Sequence, residues 1–425
     1  MMNKKMKPES LMMSHAYDAH EHQGAVKCPI YQTSTFAFNN CEEGKAYFEL
    51  AYGLREANEG EEMGMIYSRL NHPNMDILEK RLALWDEAEA GAFFSSGMAA
   101  ISTTILSFVK PGDVLLFSHP VYGGTDHFIH HVLPQFNIGA VGFVKGENED
   151  VIIERVEKAY PGRKPSMVYV ETPGNPTNSI IDIEMVSRVA KYFSTADKKC
   201  VLAVDNTFLG PVFQHPMEFG ADLVVYSATK FIGGHSDVIA GAVTGSADLV
   251  MQVKVMRTFF GSQLDPNSSW LLQRSLETIK VRMEAQAKSA KVIAEYLKDH
   301  PMVDQIHYLG MLEEGSEMKQ IFDKQCLSAG SMIAFDIAGG EKEAFMFLDN
   351  LKLFKLAVSL GSTESLAEHP ATMTHVDVKP EDRLKLGISP SLVRLSIGLE
   401  DPHDLIEQIA NAFEVVKKAN SSAIC

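Results

Sequence analysis

At 425 residues, 45 % of them hydrophobic and 22 % charged, the chain is too long for one ordinary core and suits two. Its 55 Asp and Glu against 39 Lys and Arg leave a net charge of −16, which repels nucleic acid and anionic membranes, so any anion site has to be built locally. No run of about twenty apolar residues suggests a membrane span, and the scattered cysteines Cys28, Cys41, Cys200, Cys326 and Cys425, with no CxxC pair, read as reduced thiols of a cytoplasmic protein.

Residues 1–63 read as an N-terminal arm and insertion, because the acidic stretch FELAYGLREANEGEEMG carries little periodicity. Beyond it, NMDILEKRLALW places Leu78, Leu82 and Trp85 at helical spacing. SGMAAISTTILSFVKPGD places Met98, Ile101, Ile105 and Phe108 on one helix face before Lys-Pro-Gly stops it. Short apolar runs follow, DVLLFS, SMVYVE, VLAVDN, DLVVYS and GAVTG, without in/out alternation. Buried parallel strands covered by helices on both faces have this pattern, so residues 64–265 are expected to form an α/β domain on a mostly parallel sheet. One long helix, WLLQRSLETIKVRMEAQAKSAKVIAEYLKD, should lead into a smaller C-terminal α+β domain over 266–425. Its strands are SMIAFDI and LVRLSIG, and its last helix is capped by Asp401.

Ligands in open α/β sheets bind at the carboxyl ends of the strands. There VLAVDNT ends in Asp205, DLVVYSATK ends in Ser227, Thr229 and Lys230, and VYVETPGNPTN ends in Asn175. SSGMAA opens a helix whose Gly97 and Met98 amides suit a phosphate. A lysine amine, a buried acid, neighbouring hydroxyls and an anion-binding helix start are together the requirements of pyridoxal 5′-phosphate. Its aldehyde needs a lysine, its ring nitrogen a carboxylate and its phosphate an anchor.

The segments HQGAVKCPIYQTSTF, YSRLNHPN, FSSGMAAI, PVYGGT, ETPGNPTN, VDNTF, YSATKFIGGHSDVIAG, SLGSTESLAEHPATMTH and VRLSIGLED resemble the Cys/Met-metabolism family of pyridoxal-phosphate enzymes over nearly the whole chain. The resemblance implies an aspartate-aminotransferase-like fold (fold type I) and a homotetramer of two active dimers. It makes Lys230 the Schiff-base lysine and proton carrier, pairs Asp205 with the ring nitrogen, and puts Asn175 near the ring hydroxyl. Gly97, Met98, Ser227 and Thr229 would hold the phosphate, and Tyr122 would stack on the ring and serve as acid for the leaving sulfur. Tyr67 and Arg69 would reach the phosphate of the neighbouring subunit, so a monomer would be inactive. Arg394 and Ser359 would bind the substrate α-carboxylate.

The implied reaction is γ-elimination on a small sulfur amino acid, with L-methionine going to 2-oxobutyrate, ammonia and methanethiol. Val358, His127 and Ile66 stand where cystathionine-handling members carry Glu, Arg and Glu, so an apolar site for a thioether is expected. Against this, Gly124 replaces a cysteine common among methionine γ-lyases, and VMRTFFGSQLD lacks their Lys-Asp pair. Cystathionine γ-lyase, cystathionine γ-synthase and O-acylhomoserine sulfhydrylase therefore remain as alternatives, with a catalytically inactive scaffold as the reading from another class. Segment 46–64 is expected to shape substrate access or a subunit seam. HSD at 235–237 lacks the setting of a triad, and HFIHH and HEH lack recognised metal-ligand spacing, so no metal is expected.

Overall fold

The computed structural model describes residues 6–422. Its larger sheet contains β1 (Ala90–Phe94), β2 (Val114–His119), β3 (Gly139–Val144), β4 (Pro165–Glu171), β5 (Val201–Asp205), β6 (Leu223–Tyr226) and β7 (Gly241–Gly245), in the order β1-β7-β6-β5-β4-β2-β3. From β3 to β6 all neighbours are parallel. The apolar runs lack alternation because both faces are buried. Leu115 and Phe117 of β2 pack in one cluster and Val114 and Leu116 in another, each under its own helices.

The run GAVTG, expected among the parallel strands, is antiparallel to both β6 and β1. Loop 227–240 joins β6 to β7 without a crossover helix, and a parallel pair requires a crossover. Strands β1 and β3, absent from the expected runs, are the two edges of the sheet, and each contains glycine. The structure needs those glycines: a Cβ at Gly91 would lie 2.8 Å from the Glu79 carbonyl, and one at Gly142 would lie 2.5 Å from the His119 ring.

The helices Pro73–Trp85 and Gly97–Phe108 form where periodicity places them, the second capped by Ser96 Oγ, which accepts from the Ala99 amide at 3.0 Å. The residues before β1 are more ordered than their composition suggests. Asn40 caps a helix Cys41–Ala51, and Met12 is fully buried with Leu78, Leu82 and Trp85. Cys28, Cys200 and Cys326 are buried free thiols and Cys41 is exposed, while Cys425 lies outside the described residues.

The single long helix expected after residue 269 is instead two, Pro266–Leu276 and Ile279–Lys298. At the break the Ser275 carbonyl accepts from the Thr278 amide at 3.2 Å and from Arg282 Nη2 at 3.1 Å, which closes the first helix. The second helix links two cores: Met283 packs under the large sheet, Ile293 and Leu297 under the smaller one. That sheet holds β8 (Val303–His307), β9 (Met332–Ile337), β10 (Lys355–Leu356), β11 (Leu366–Glu368) and β12 (Leu392–Ser396), in the order β10-β11-β12-β9-β8. Phe335, Phe347 and Phe413 fill its core, and Asp401 caps the final helix by accepting from the His403 amide at 2.8 Å.

A buried ion cluster ties β1 to its helices. Arg257 Nη1 donates to Glu79 Oε1 and to the Phe93 carbonyl, each at 2.7 Å, and Lys254 Nζ meets Glu79 Oε2 at 2.6 Å. Burial alone would raise the Glu79 pKa, yet Lys254 and Arg257 hold it below the ordinary carboxylate value. A depressed folded-state pKa contributes stability above the unfolded value, and that stability is lost as pH falls through the folded one. Arg257→Met is therefore expected to cost about 3–5 kcal/mol in urea unfolding at neutral pH. The difference from the parent should narrow on acidification; an unchanged midpoint at neutral pH would contradict the coupling.

Candidate active site

The carboxyl ends of β4, β5 and β6 open into a cavity of about 250 Å³. Gly97, Met98, Tyr122, Asn175, Asp205, Ser227, Thr229 and Lys230, all expected from the sequence, line it. Parallel register sets Glu171 of β4 directly beside Asp205 of β5. Asp205 Oδ2 accepts from the Tyr169 hydroxyl at 2.8 Å. Its Oδ1 accepts from the Thr207 hydroxyl at 2.6 Å and from the Thr207 amide at 3.0 Å. Burial raises the Asp205 pKa, and no cationic side chain among the described residues pairs with it.

Glu171 clasps two segments of the rim. Its Oε2 accepts from the Tyr122 amide at 2.7 Å and its Oε1 from the Asn175 amide at 2.9 Å. Burial, with the Asp205 charge adding to it, pushes the Glu171 pKa up to about 8. Tyr122 leaves its ring 41 % exposed over the cavity. Gly124 keeps that ring where it is, since a Cβ there would lie 2.7 Å from Tyr122 Cε1.

Lys230 Nζ donates to Ser359 Oγ at 2.8 Å. Burial, with the Arg394 charge adding to it, lowers the Lys230 pKa to about 8. Ser359 holds φ at 101°, a left-handed conformation that a non-glycine residue adopts only when its surroundings impose it. Arg394 on β12 supplies the constraint: Nη2 donates to the Ser359 carbonyl at 2.7 Å and Nη1 to Asn175 Oδ1 at 2.9 Å. Nη1 also meets Glu368 Oε1 at 2.9 Å. Arg394 Nε is buried without a hydrogen-bond partner.

Two observations test whether these residues fit pyridoxal phosphate. A Cβ at Gly97 would lie 2.8 Å from Ser227 Oγ, so glycine keeps the start of a twelve-residue helix open beside a hydroxyl, as a phosphate requires. Asp205 is a buried carboxylate without a cation, and a protonated ring nitrogen is the charge it lacks. The residues fit. Thr229 is the exception in detail, because its hydroxyl donates to the Ala240 carbonyl at 3.1 Å and accepts from the Ala240 amide at 3.0 Å, which pins the loop after β6.

Tyr67 and Arg69 are not brought into this cavity. Arg69 Nη1 donates to the Thr258 carbonyl at 2.9 Å, and Tyr67 is 42 % exposed. None of the residues 46–64 lines the cavity either. His127 faces Asp377 at 3.3 Å, and Val358 is exposed. The HSD segment forms no relay: His235 Nδ1 bonds the Gly233 carbonyl at 2.8 Å, and Ser236 donates to Ser362 Oγ at 2.8 Å. Tyr169, Glu171, Thr207 and Glu368 were not foreseen. The i, i+2 spacing of Tyr169 and Glu171 puts both on one strand face, but only the register with β5 brings them to Asp205.

With the geometry in place, comparison with known proteins identifies its setting. The description "Cys/Met metabolism PLP-dependent enzyme" matches residues 9–414. The L-methionine gamma-lyase of Pseudomonas putida is 38% identical over 402 residues, 94% of this chain and 95% of that protein. The cystathionine gamma-lyase of Bacillus subtilis is 39% identical over 412 residues, 96% of this chain and 100% of that protein. Among solved structures, cystathionine gamma synthase from Xanthomonas oryzae pv. oryzae in complex with cystathionine superposes with a TM-score of 0.86 at 31% identity, covering 98% of this chain and 100% of the other. Matched along its length in sequence and in fold, the chain belongs to the Cys/Met metabolism family of PLP-dependent enzymes.

Proposed function

We propose that the cavity binds pyridoxal 5′-phosphate and uses it for γ-elimination on L-methionine, which with water yields 2-oxobutyrate, ammonia and methanethiol. The observation that carries the substrate choice is the character of the walls. The charged side chains lining the cavity are Glu171, Asp205 and Lys230, each already engaged. The other contacts include Met98, Ile101, Phe208, Ile239 and Leu360. None of the three charged side chains is free to pair with a second amino-acid head such as cystathionine carries. Relatives named L-methionine gamma-lyase, at 38% and 39% identity, support the same choice. The relative named cystathionine gamma-lyase and the synthase among the structures keep cystathionine cleavage and γ-replacement as the second reading.

The bound cofactor supplies an aldehyde carbon and an electron-accepting ring. Asp205 would pair with the ring nitrogen and keep it protonated, with Asn175 toward the ring hydroxyl. The Gly97 and Met98 amides, with the Ser227 hydroxyl, would hold the phosphate, while Thr229 fixes the adjoining loop through Ala240. Arg394 and Ser359 orient the substrate α-carboxylate, with the unpartnered Arg394 Nε as an available donor. Lys230 Nζ takes the proton from Cα and moves protons onward. Its depressed pKa leaves a useful neutral fraction near neutrality. Tyr122 would cover the ring and protonate the departing sulfur. Joint retention of Lys230, Asp205 and Tyr122 on one cavity, with Arg394 bonded to Asn175 of its lining, argues against an inactive scaffold. The position of Tyr67 and Arg69 outside their own chain's cavity supports service to a neighbour's phosphate in a homotetramer of active dimers.

Methionine, cystathionine, homocysteine and O-acetylhomoserine, offered with and without a thiol, distinguish the readings. Methionine should release 2-oxobutyrate without thiol; thioether formation from the acetyl ester with no keto acid from methionine would overturn the assignment. In cofactor-free protein, borohydride-trapped incorporation of the cofactor should accelerate as pH rises through about 8, where Lys230 becomes neutral, and Lys230→Ala should trap none. Lys230→Ala and Arg69→Ala chains, each inactive, should regain about a quarter of the parent activity when dissociated and randomly re-paired. No recovery in verified mixed dimers would place Arg69 outside the neighbour's site.

A further inference from the structure

β2 ends at His119, and the chain then runs through Tyr122 into the helical turn Gly123–His127 and the wider π-helical turn Phe128–Val132. This path brings two imidazoles to one carboxylate, and none of the three side chains lines the cavity. His130 Nε2 lies 3.4 Å from Asp126 Oδ1, and His119 Nδ1 lies 3.9 Å from the same oxygen. All three ligand atoms fall within 4.8 Å of one another. We infer that His119, Asp126 and His130 form a binding site for one divalent transition ion of the zinc, nickel or copper class, with its remaining position open to solvent.

Bonds of about 2.0–2.2 Å to a shared ion put adjacent ligand atoms about 3–4 Å apart. The two separations from Asp126 already meet this, and the two imidazole rings lie nearly parallel with centroids 6.0 Å apart. His119 Nδ1 is shielded from solvent and has no hydrogen-bond partner, an unmet demand of the kind folded proteins rarely leave. The rings are held in place. Phe117 packs edge-on against both, at centroid distances of 4.5 and 5.6 Å, and the missing Cβ of Gly142 makes room for His119.

Two imidazoles and a carboxylate select borderline transition ions over magnesium or calcium, which take mostly oxygen ligands. His130, 47 % exposed, gives the ion a route in from solvent. Sequence spacing discounted HFIHH because its decisive partner, His119, belongs to the end of a strand and reaches the helical turns only through the fold.

The test uses chelator-treated holoenzyme dialysed against zinc at about 10 µM, with bound metal quantified per chain by elemental analysis and affinity read by calorimetry. One ion per chain is expected. Asp126→Asn and His130→Gln should each weaken binding by about tenfold or more, while His403→Gln, on the final helix, leaves it unchanged. Circular dichroism and thermal melts check that the variants remain folded. Absence of bound zinc in the parent protein, or affinity unchanged from the parent in both ligand variants, would overturn the proposal.

Discussion

A buried carboxylate at the end of β5 is the constraint on which the site depends. Asp205 is held by the Tyr169 hydroxyl and by Thr207, but these neutral donors do not supply the positive charge that burial makes necessary. Glu171 stands beside it in register, so each carboxylate makes ionisation of the other more costly. The cavity above is therefore an environment built to welcome a cation. A pyridinium ring answers it, and the same charge makes that ring a better acceptor of electrons. The electrostatic demand and the matched family point to the same cofactor.

The second constraint is the joint between the two sheets. Arg394 comes from β12, yet its guanidinium reaches Asn175 after β4 and the carbonyl of Ser359, whose hydroxyl in turn receives Lys230. One chain of contacts runs from the smaller sheet through an unusual backbone conformation to the lysine at the end of β6. Gly361 permits it, since a Cβ there would press on the Phe231 amide at 2.8 Å. Any substrate carboxylate bound by Arg394 is consequently fixed relative to the lysine amine, which is the relation proton transfer at the adjacent carbon needs.

Chemical groups that lie within a few consecutive residues are legible in the sequence. Lys230 with Ser227 and Thr229, Asp205 at the end of an apolar run, and Gly97 and Met98 opening a helix all announce themselves locally, and all line one cavity. The reading missed what depends on strand register. Glu171 and Tyr169 look like ordinary strand residues until β4 is laid against β5. It also merged two helices into one, because the Arg282 and Thr278 contacts that close the first are visible only in three dimensions. Thr229, expected at a phosphate, is occupied by the backbone of Ala240, a partner that sequence adjacency does not suggest.

The sequence by itself determined the chemical parts: an amine, an acid, an anion-binding helix start and a guanidinium, spaced along runs whose apolar residues had to be buried on two faces. Those parts are local, and short-range patterning encodes them. Tertiary structure alone decided their electrical character. Neighbouring strands brought Glu171 to Asp205, burial and Arg394 lowered the basicity of Lys230, and the turn after β2 gathered His119 with Asp126 and His130. The physical reason is that charge interactions depend on distance and dielectric surroundings through space, and neither quantity is written in the order of residues along a chain.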